Sequence, residues 1–172
     1  MRIKRLNELI DTYKDYPKKG IEFKDVLGII QEPEIFKELT MEMSSSQIIK
    51  NAEAIISIDA RGFIFGSAIS LQASKPMIVA RKPGKLPGEI FEKKYSLEYG
   101  ENSLSIQKKA LQKYNSYAIV DDLLATGGTV NCVSKILKSK KKEIKGLLVV
   151  VELTKLNGRS KLNFPIESAI TF

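Results

Sequence analysis

The run Ala118–Val130, AIVDDLLATGGTV, sets two adjacent carboxylates, Asp121 and Asp122, directly before a small, glycine-rich segment. The two halves suit different chemistry. Ala125, Thr126, Gly127, Gly128 and Thr129 are small enough to bring backbone N–H groups against a phosphate. A helix beginning there adds about 0.3–1 kcal/mol of favourable dipole interaction with an anion. Thr126 and Thr129 add hydroxyl donors. Carboxylates make poor phosphate ligands but accept well from sugar hydroxyls, and an adjacent pair is costly if buried unpaired. A ligand with a phosphate at one end and a cis-diol beside it uses both halves, and a phosphorylated ribose is such a ligand. If its C1 departs as an oxocarbenium-like cation, nearby negative charge also stabilises the transition state. The segment has neither the Gly-Lys-Ser/Thr of a Walker A loop nor the GxGxxG spacing. A glycine turn that only caps a helix would account for ATGGT, but not for the two acids.

The elements that must hold these residues are legible as short apolar runs. Ala54–Ile58, Met77–Ala80, Tyr117–Val120 and Leu147–Val151 are nearly all apolar and do not alternate, the pattern of parallel strands covered on both faces. Helical patterns cover Pro33–Lys50, Gly62–Ser74 and Thr129–Lys140, with Pro33 suited to a first turn. This order predicts an α/β domain with right-handed crossovers. YAIV is then a strand and DDLLATGGT the turn at its carboxyl end, where such sheets bind ligands. The N-terminal MRIKRLNELIDTYKDY predicts an amphipathic helix with Ile3, Leu6, Ile10 and Tyr13 on one face. It has neither the apolar core nor the small-residue cleavage site of a signal peptide. From Lys82 to Ser103, prolines and glycines interrupt any buried periodicity and predict a long loop of the kind that serves as a lid. A hairpin pairing Tyr95–Tyr99 with Leu104–Gln107 around Gly100-Glu101-Asn102 fits within it. With no repeat or linker in view, residues 1–172 read as one domain.

Composition narrows the chemistry further. The chain has no histidine, which excludes Ser-His-Asp and Cys-His nucleophilic sites and His-based metal sites. Its 28 basic and 20 acidic residues give a net charge of +8, which favours anionic partners, nucleic acid or phosphorylated small molecules. The lysines from Lys135 to Lys145 read as the solvated end of a helix, where cations suit the dipole. No apolar run approaches the roughly 20 residues that span a bilayer. The single Cys132 allows no internal disulfide, which fits a reducing cytoplasm.

Several spaced motifs occur in order: YPKKGIEFKDV, DARGFIFGSAI, ARKPGKLPG, KYSLEYGENSLSIQ, VDDLLATGGT and VELTKLNGRSKL. With them the chain resembles the adenine-using branch of the type I phosphoribosyltransferase family, from about Tyr16 to about Leu162. The resemblance implies an α/β fold with a central, mostly parallel sheet flanked by helices, a flexible lid at about residues 82–103 and a small base-binding hood. It implies conversion of adenine and 5-phosphoribosyl 1-pyrophosphate (PRPP) to AMP and pyrophosphate in the cytoplasm, by a homodimer without nucleic-acid or membrane partners. Mg²⁺ would be held mainly through PRPP and water. By position, Asp121 and Asp122 resemble the pair that contacts the ribose hydroxyls, and Ala125–Thr129 the 5′-phosphate loop. Asp59, Ala60, Arg61 and Gly62 resemble the pyrophosphate loop, and Arg81, Lys82 and Lys85 further pyrophosphate and lid contacts. Phe23 resembles the aromatic that stacks on adenine and Leu153 the apolar residue opposite, with Glu22, Phe23 and Arg61 reading the base. Glu98 and Tyr99 resemble lid residues, Glu98 as proton donor or carrier at the purine N7. Ala60 stands where the family often has serine, and Pro83 where a basic residue is frequent. Two other readings are a phosphoribosyltransferase for another purine such as xanthine, and a PRPP-sensing regulator that binds nucleic acid. No helix-turn-helix or RNA-binding signature supports the second.

Overall fold

The computed structural model describes residues 2–97 and 100–172. The chain passes from α1 (Arg2–Glu8) into an antiparallel ribbon of β1 (Asp11–Lys14) and β2 (Glu22–Asp25), then through α2 (Leu27–Ile30), α3 (Pro33–Ser44) and α4 (Gln47–Asn51). β3 (Ala54–Ile58), α5 (Gly62–Ala73) and β4 (Met77–Ala80) follow, then a hairpin of β5 (Ile90–Leu97) and β6 (Gly100–Gln107), and α6 (Lys108–Gln112). β7 (Ser116–Leu124), α7 (Gly128–Ser139), β8 (Glu143–Glu152), 3₁₀ turns at Thr154–Leu156 and Gly158–Lys161, and β9 (Ile166–Thr171) complete the fold.

β4, β3, β7, β8 and β9 pair in that order into a five-stranded sheet, parallel throughout. Both faces are covered, and residues of each strand alternate between two cores. Ile55, Ala118, Val120, Leu148 and Val150 pack with Leu39, Phe65 and Ile69 on one face. Ala54, Ile56, Ile58, Ile119, Leu147 and Val149 pack with Leu104, Ile106, Val133 and Leu137 on the other. A strand buried on both sides has no polar face, so the sequence shows an uninterrupted apolar run. Among the described residues, no helix is long and apolar enough to cross a membrane.

Four sequence expectations are corrected. The acids are not in a turn: β7 continues to Leu124, because its ladder with β8 carries Asp121, Leu123 and Leu124 beyond the end of β3. The helix expected over Pro33–Lys50 breaks into α3 and α4 at three serines. Ser44 and Ser45 hydroxyls donate to the Met41 carbonyl, and the Ser46 hydroxyl accepts from the Ile48 N–H as a new N-cap. The N-terminal helix stops at Glu8; Leu6 and Ile10 enter the core as expected, but Tyr13 lies on β1 and is exposed. The segment 82–103 is not simply a loop. Much of it is the β5–β6 hairpin, whose ladder runs from Ile90↔Gln107 to Leu97↔Gly100, so Gly100, Glu101 and Asn102 are paired strand residues and not the turn. Leu104 and Ile106 anchor it in the core.

α5 lies very close to β3. A Cβ built on Gly66 would stand 2.3 Å from the Ser57 Oγ and 2.6 Å from its Cβ, with Ser57 fully buried. Gly66→Ala should therefore destabilise the fold by about 1–3 kcal/mol through overpacking. Adding Ser57→Gly should restore part of the loss, as touching sites are non-additive. Urea unfolding of the single and double variants checks both, and an unchanged midpoint for Gly66→Ala would refute the close packing.

Candidate active site

β3 is followed by a crossover to β4 on one side of the sheet, and β7 by a crossover to β8 on the other. The carboxyl ends of β3 and β7 thus flank a topological switch point, where open parallel sheets form a crevice. A cavity of about 350 Å³ occupies it, lined by Asp59, Ala60 and Arg61 after β3, by Lys82, and by residues 121–130 of β7 and the start of α7. The two acids, Ala125–Thr129, and Asp59, Ala60, Arg61 and Lys82 therefore share one cavity.

Each piece is positioned by its element. Gly127 takes φ 76°, a left-handed conformation that suits glycine, and ends the loop as the N-cap of α7 without a side-chain cap. The first-turn amides of α7 are thus directed at the cavity side of the turn. Asp121 and Asp122 are only 6% and 7% exposed. Gly62 closes over them: a Cβ there would meet the Asp121 Oδ1 at 2.7 Å and its Cα at 3.2 Å. The Asp59–Ala60 peptide is cis. The Asp59 carboxylate accepts from the Arg81 Nε at 3.2 Å and the Lys82 N–H at 3.3 Å, tying the loop after β3 to the segment after β4. Arg81 and Lys85 do not line the cavity; Arg81 is engaged with Asp59 and with the Lys85 carbonyl.

The acids are compensated unequally. Asp122 accepts from the Arg61 Nε at 2.5 Å. The Asp121 Oδ1 accepts from the Asp122 N–H at 2.9 Å. Burial first, and the Asp122 charge second, push the Asp121 carboxyl well above its ordinary range, against the opposing pull of that N–H and of Arg61.

A second cavity, of about 340 Å³, is lined by Tyr13, Tyr16, Phe23, Asp25, Leu27 and Arg61. Arg61 is common to both: it bonds Asp122 in the first, and its guanidinium carbon lies 5.1 Å from the Phe23 ring centroid in the second. Tyr16 meets Phe23 edge to face at 5.3 Å. Phe23 thus lines the second cavity between Arg61 and Tyr16. Glu22 is exposed, its carboxylate paired with Lys24, and Leu153 packs against the core without lining either cavity. Glu98 and Tyr99 lie outside the described residues. Tyr13 and Tyr16 escaped the sequence reading because they line a cavity only once the ribbon folds back across the turn closed by the Gly20 N–H on the Asp15 carboxylate.

No protein-family model matches the chain. Among proteins of similar sequence, adenine phosphoribosyltransferase of Prochlorococcus marinus strain MIT 9515 is 83% identical over 168 residues, 98% of each chain. That of Mycoplasmopsis synoviae is 38% identical over 98% of this chain and 99% of its own. Among solved structures, adenine phosphoribosyltransferase of Thermoanaerobacter pseudethanolicus superposes with a TM-score of 0.90 at 37% identity, covering 99% of both chains. The Saccharomyces cerevisiae enzyme, complexed with adenine and an imino-altritol bisphosphate, gives 0.90 at 32% identity over 98% of both.

The raised Asp121 pKa has a consequence for stability. The unfolded carboxyl ionises near 3.8, while the folded one resists ionisation. Folding therefore loses stability as pH rises from there to the raised folded value, and the penalty is constant above it. Asp121→Asn cannot ionise, so its stability relative to wild type should improve from acid toward neutral pH. Chemical unfolding of both proteins across that range checks this, and a pH-independent difference would contradict the burial of a reluctant carboxylate.

Proposed function

The chain belongs to the adenine phosphoribosyltransferase family and converts adenine and PRPP to AMP and pyrophosphate in purine salvage, and on that premise we propose how its residues divide the work. The observation that carries the proposal is Arg61, shared by a polar cavity with two buried acids and by an aromatic one. Ala125–Thr129 hold the 5′-phosphate with loop amides, the α7 N-terminus and threonine hydroxyls. Asp121 and Asp122 accept from the ribose hydroxyls and face the cationic character that develops at C1. Asp59–Gly62 and Lys82 hold the departing pyrophosphate, with Arg81 and Lys85 as supports from the same segment. Adenine stacks on Phe23, and its N9 attacks C1 as the C1–O bond to pyrophosphate breaks, while the proton on the purine imidazole ring is lost through N7 with Glu98 as its carrier. The Arg61 ion pair to Asp122 is then exchanged for contacts to the substrate, which keeps the acid compensated at every stage.

Mg²⁺, the homodimer and the cytoplasmic setting belong to the same proposal. Among the described residues no three His, Cys, Asp or Glu side chains are grouped to hold a metal. The two acids at the cavity suit a hydrated cation held mainly by PRPP oxygens. When bound, it would neutralise charge on the leaving pyrophosphate. The lid role proposed for residues 82–103 starts from an anchored hairpin, with Lys82 already at the cavity. Hydrogen exchange with and without PRPP should show added protection at residues 82–97, and equal protection would remove the lid.

Steady-state kinetics test the site roles. Asp121→Asn with Asp122→Asn should lower turnover by about a hundred- to a thousandfold per group while the protein stays folded. Phe23→Ala should raise the adenine KM far more than the PRPP KM, since base stacking is worth roughly 1–3 kcal/mol. A folded double variant with wild-type turnover would remove the acids from the sugar, and equal changes in both KM values would remove Phe23 from the base.

A further inference from the structure

The phosphate loop rests on a segment far from it in sequence. A Cβ built on Gly158 would stand 2.2 Å from the Ala125 carbonyl oxygen and 2.9 Å from the Gly127 nitrogen. Reciprocally, a Cβ on Gly127 would stand 2.8 Å from the Gly158 carbonyl oxygen. Two glycines from separate segments are thus in backbone contact, and all these neighbours are main-chain atoms that cannot rotate aside. Gly158 is buried, although Asn157 before it and Arg159 after it are exposed. Asn157 takes φ 51° and turns the chain between the two 3₁₀ turns.

Arg159 fixes that turn to the sheet. Its Nε and Nη2 donate to the two oxygens of Glu152 at 2.8 and 2.5 Å, and its Nη1 donates to the Ile166 carbonyl at 3.0 Å. Glu152 is 4% exposed at the end of β8, directly across the ladder from Leu124, the last residue before the loop. The Ser168 hydroxyl on β9 adds a third bond to it at 3.1 Å. The Arg159 guanidinium holds the Glu152 carboxyl below its ordinary range despite burial, as a retained ion pair should. A bidentate guanidinium–carboxylate pair fixes direction as well as distance.

We propose that Gly158, held by the Glu152–Arg159 pair, is a positioning residue that sets the height and tilt of the Ala125–Gly127 backbone for the 5′-phosphate. This rests on the assignment of Ala125–Thr129 to that phosphate. The Glu152 carboxylate does not touch substrate; it acts through Arg159, Gly158 and the loop. Lifting the loop would misalign the amides at the phosphate while leaving the loop after β3 in place.

The test is calorimetric titration of ribose 5-phosphate and, separately, of pyrophosphate into wild type and variants. A loop displaced on the order of 1 Å costs up to about a hundredfold. Gly158→Ala should therefore weaken ribose 5-phosphate by about ten- to a hundredfold and change pyrophosphate by less than about threefold. Arg159→Lys keeps a charge but loses the fork, so it should show the same selectivity at smaller size; it carries the test if Gly158→Ala does not fold. Unchanged binding of ribose 5-phosphate, or equal loss of both anions, overturns the inference. Thr126→Ala with Thr129→Val separates it from its premise. If that variant also leaves ribose 5-phosphate unaffected, the phosphate assignment fails; if it weakens binding and Gly158→Ala does not, only the Gly158 role fails.

Discussion

Two carboxylates are buried side by side at the carboxyl end of a central strand, and much of the site follows from the need to compensate them. Asp121 and Asp122 lie on β7 just beyond its ladder with β3 and have little access to water. Adjacent charges in such a place are tolerable only with partners. One partner is the Asp122 amide, and another is the Arg61 guanidinium, brought from the loop after β3. That demand fixes how near the loop must approach, and Gly62 is the residue that permits it.

The same compensation couples the two cavities. Arg61 holds Asp122 and also stands beside the Phe23 ring, so the acid-lined cavity and the aromatic one share one cation. Both cavities are lined by the same guanidinium. The Asp59 carboxylate plays the opposite part, drawing Arg81 and the Lys82 amide toward the loop after β3. Alternating charges thus join residues from three different strands and the segments that follow them, at the carboxyl end of the sheet beyond the ladders of β3.

How much of this could be read from the chain varied with the range of the interaction. β3 and β4 were legible to the residue, because strands buried on both faces must be continuously apolar. The acids, threonines and glycines of DDLLATGGT are contiguous, so the segment suggests a chemistry without help from another. DDLL is strand and not turn, however, because its pairing with β8 lies outside the segment. β9, with the sequence IESAIT, gives no such signal: at the sheet edge only Ile170 of its six residues is buried, and the run is interrupted by a charge. The hairpin was underestimated for a similar reason. EKK in β5 looks solvated, and its pairing is secured by Leu104 and Ile106 on the other arm.

The sequence alone determined the α/β class, the buried strands and the type of ligand that the acid-then-phosphate motif would suit. These depend on neighbours along the chain, whose spacing is set by covalent geometry. Only the tertiary structure decided that β7 carries the acids as strand residues, that Arg61 joins two cavities, and that Tyr16 and Phe23 meet edge to face. It alone also put Gly158 beneath the phosphate loop. Such contacts join residues tens of positions apart, and their geometry exists only after the sheet has brought the strand ends together.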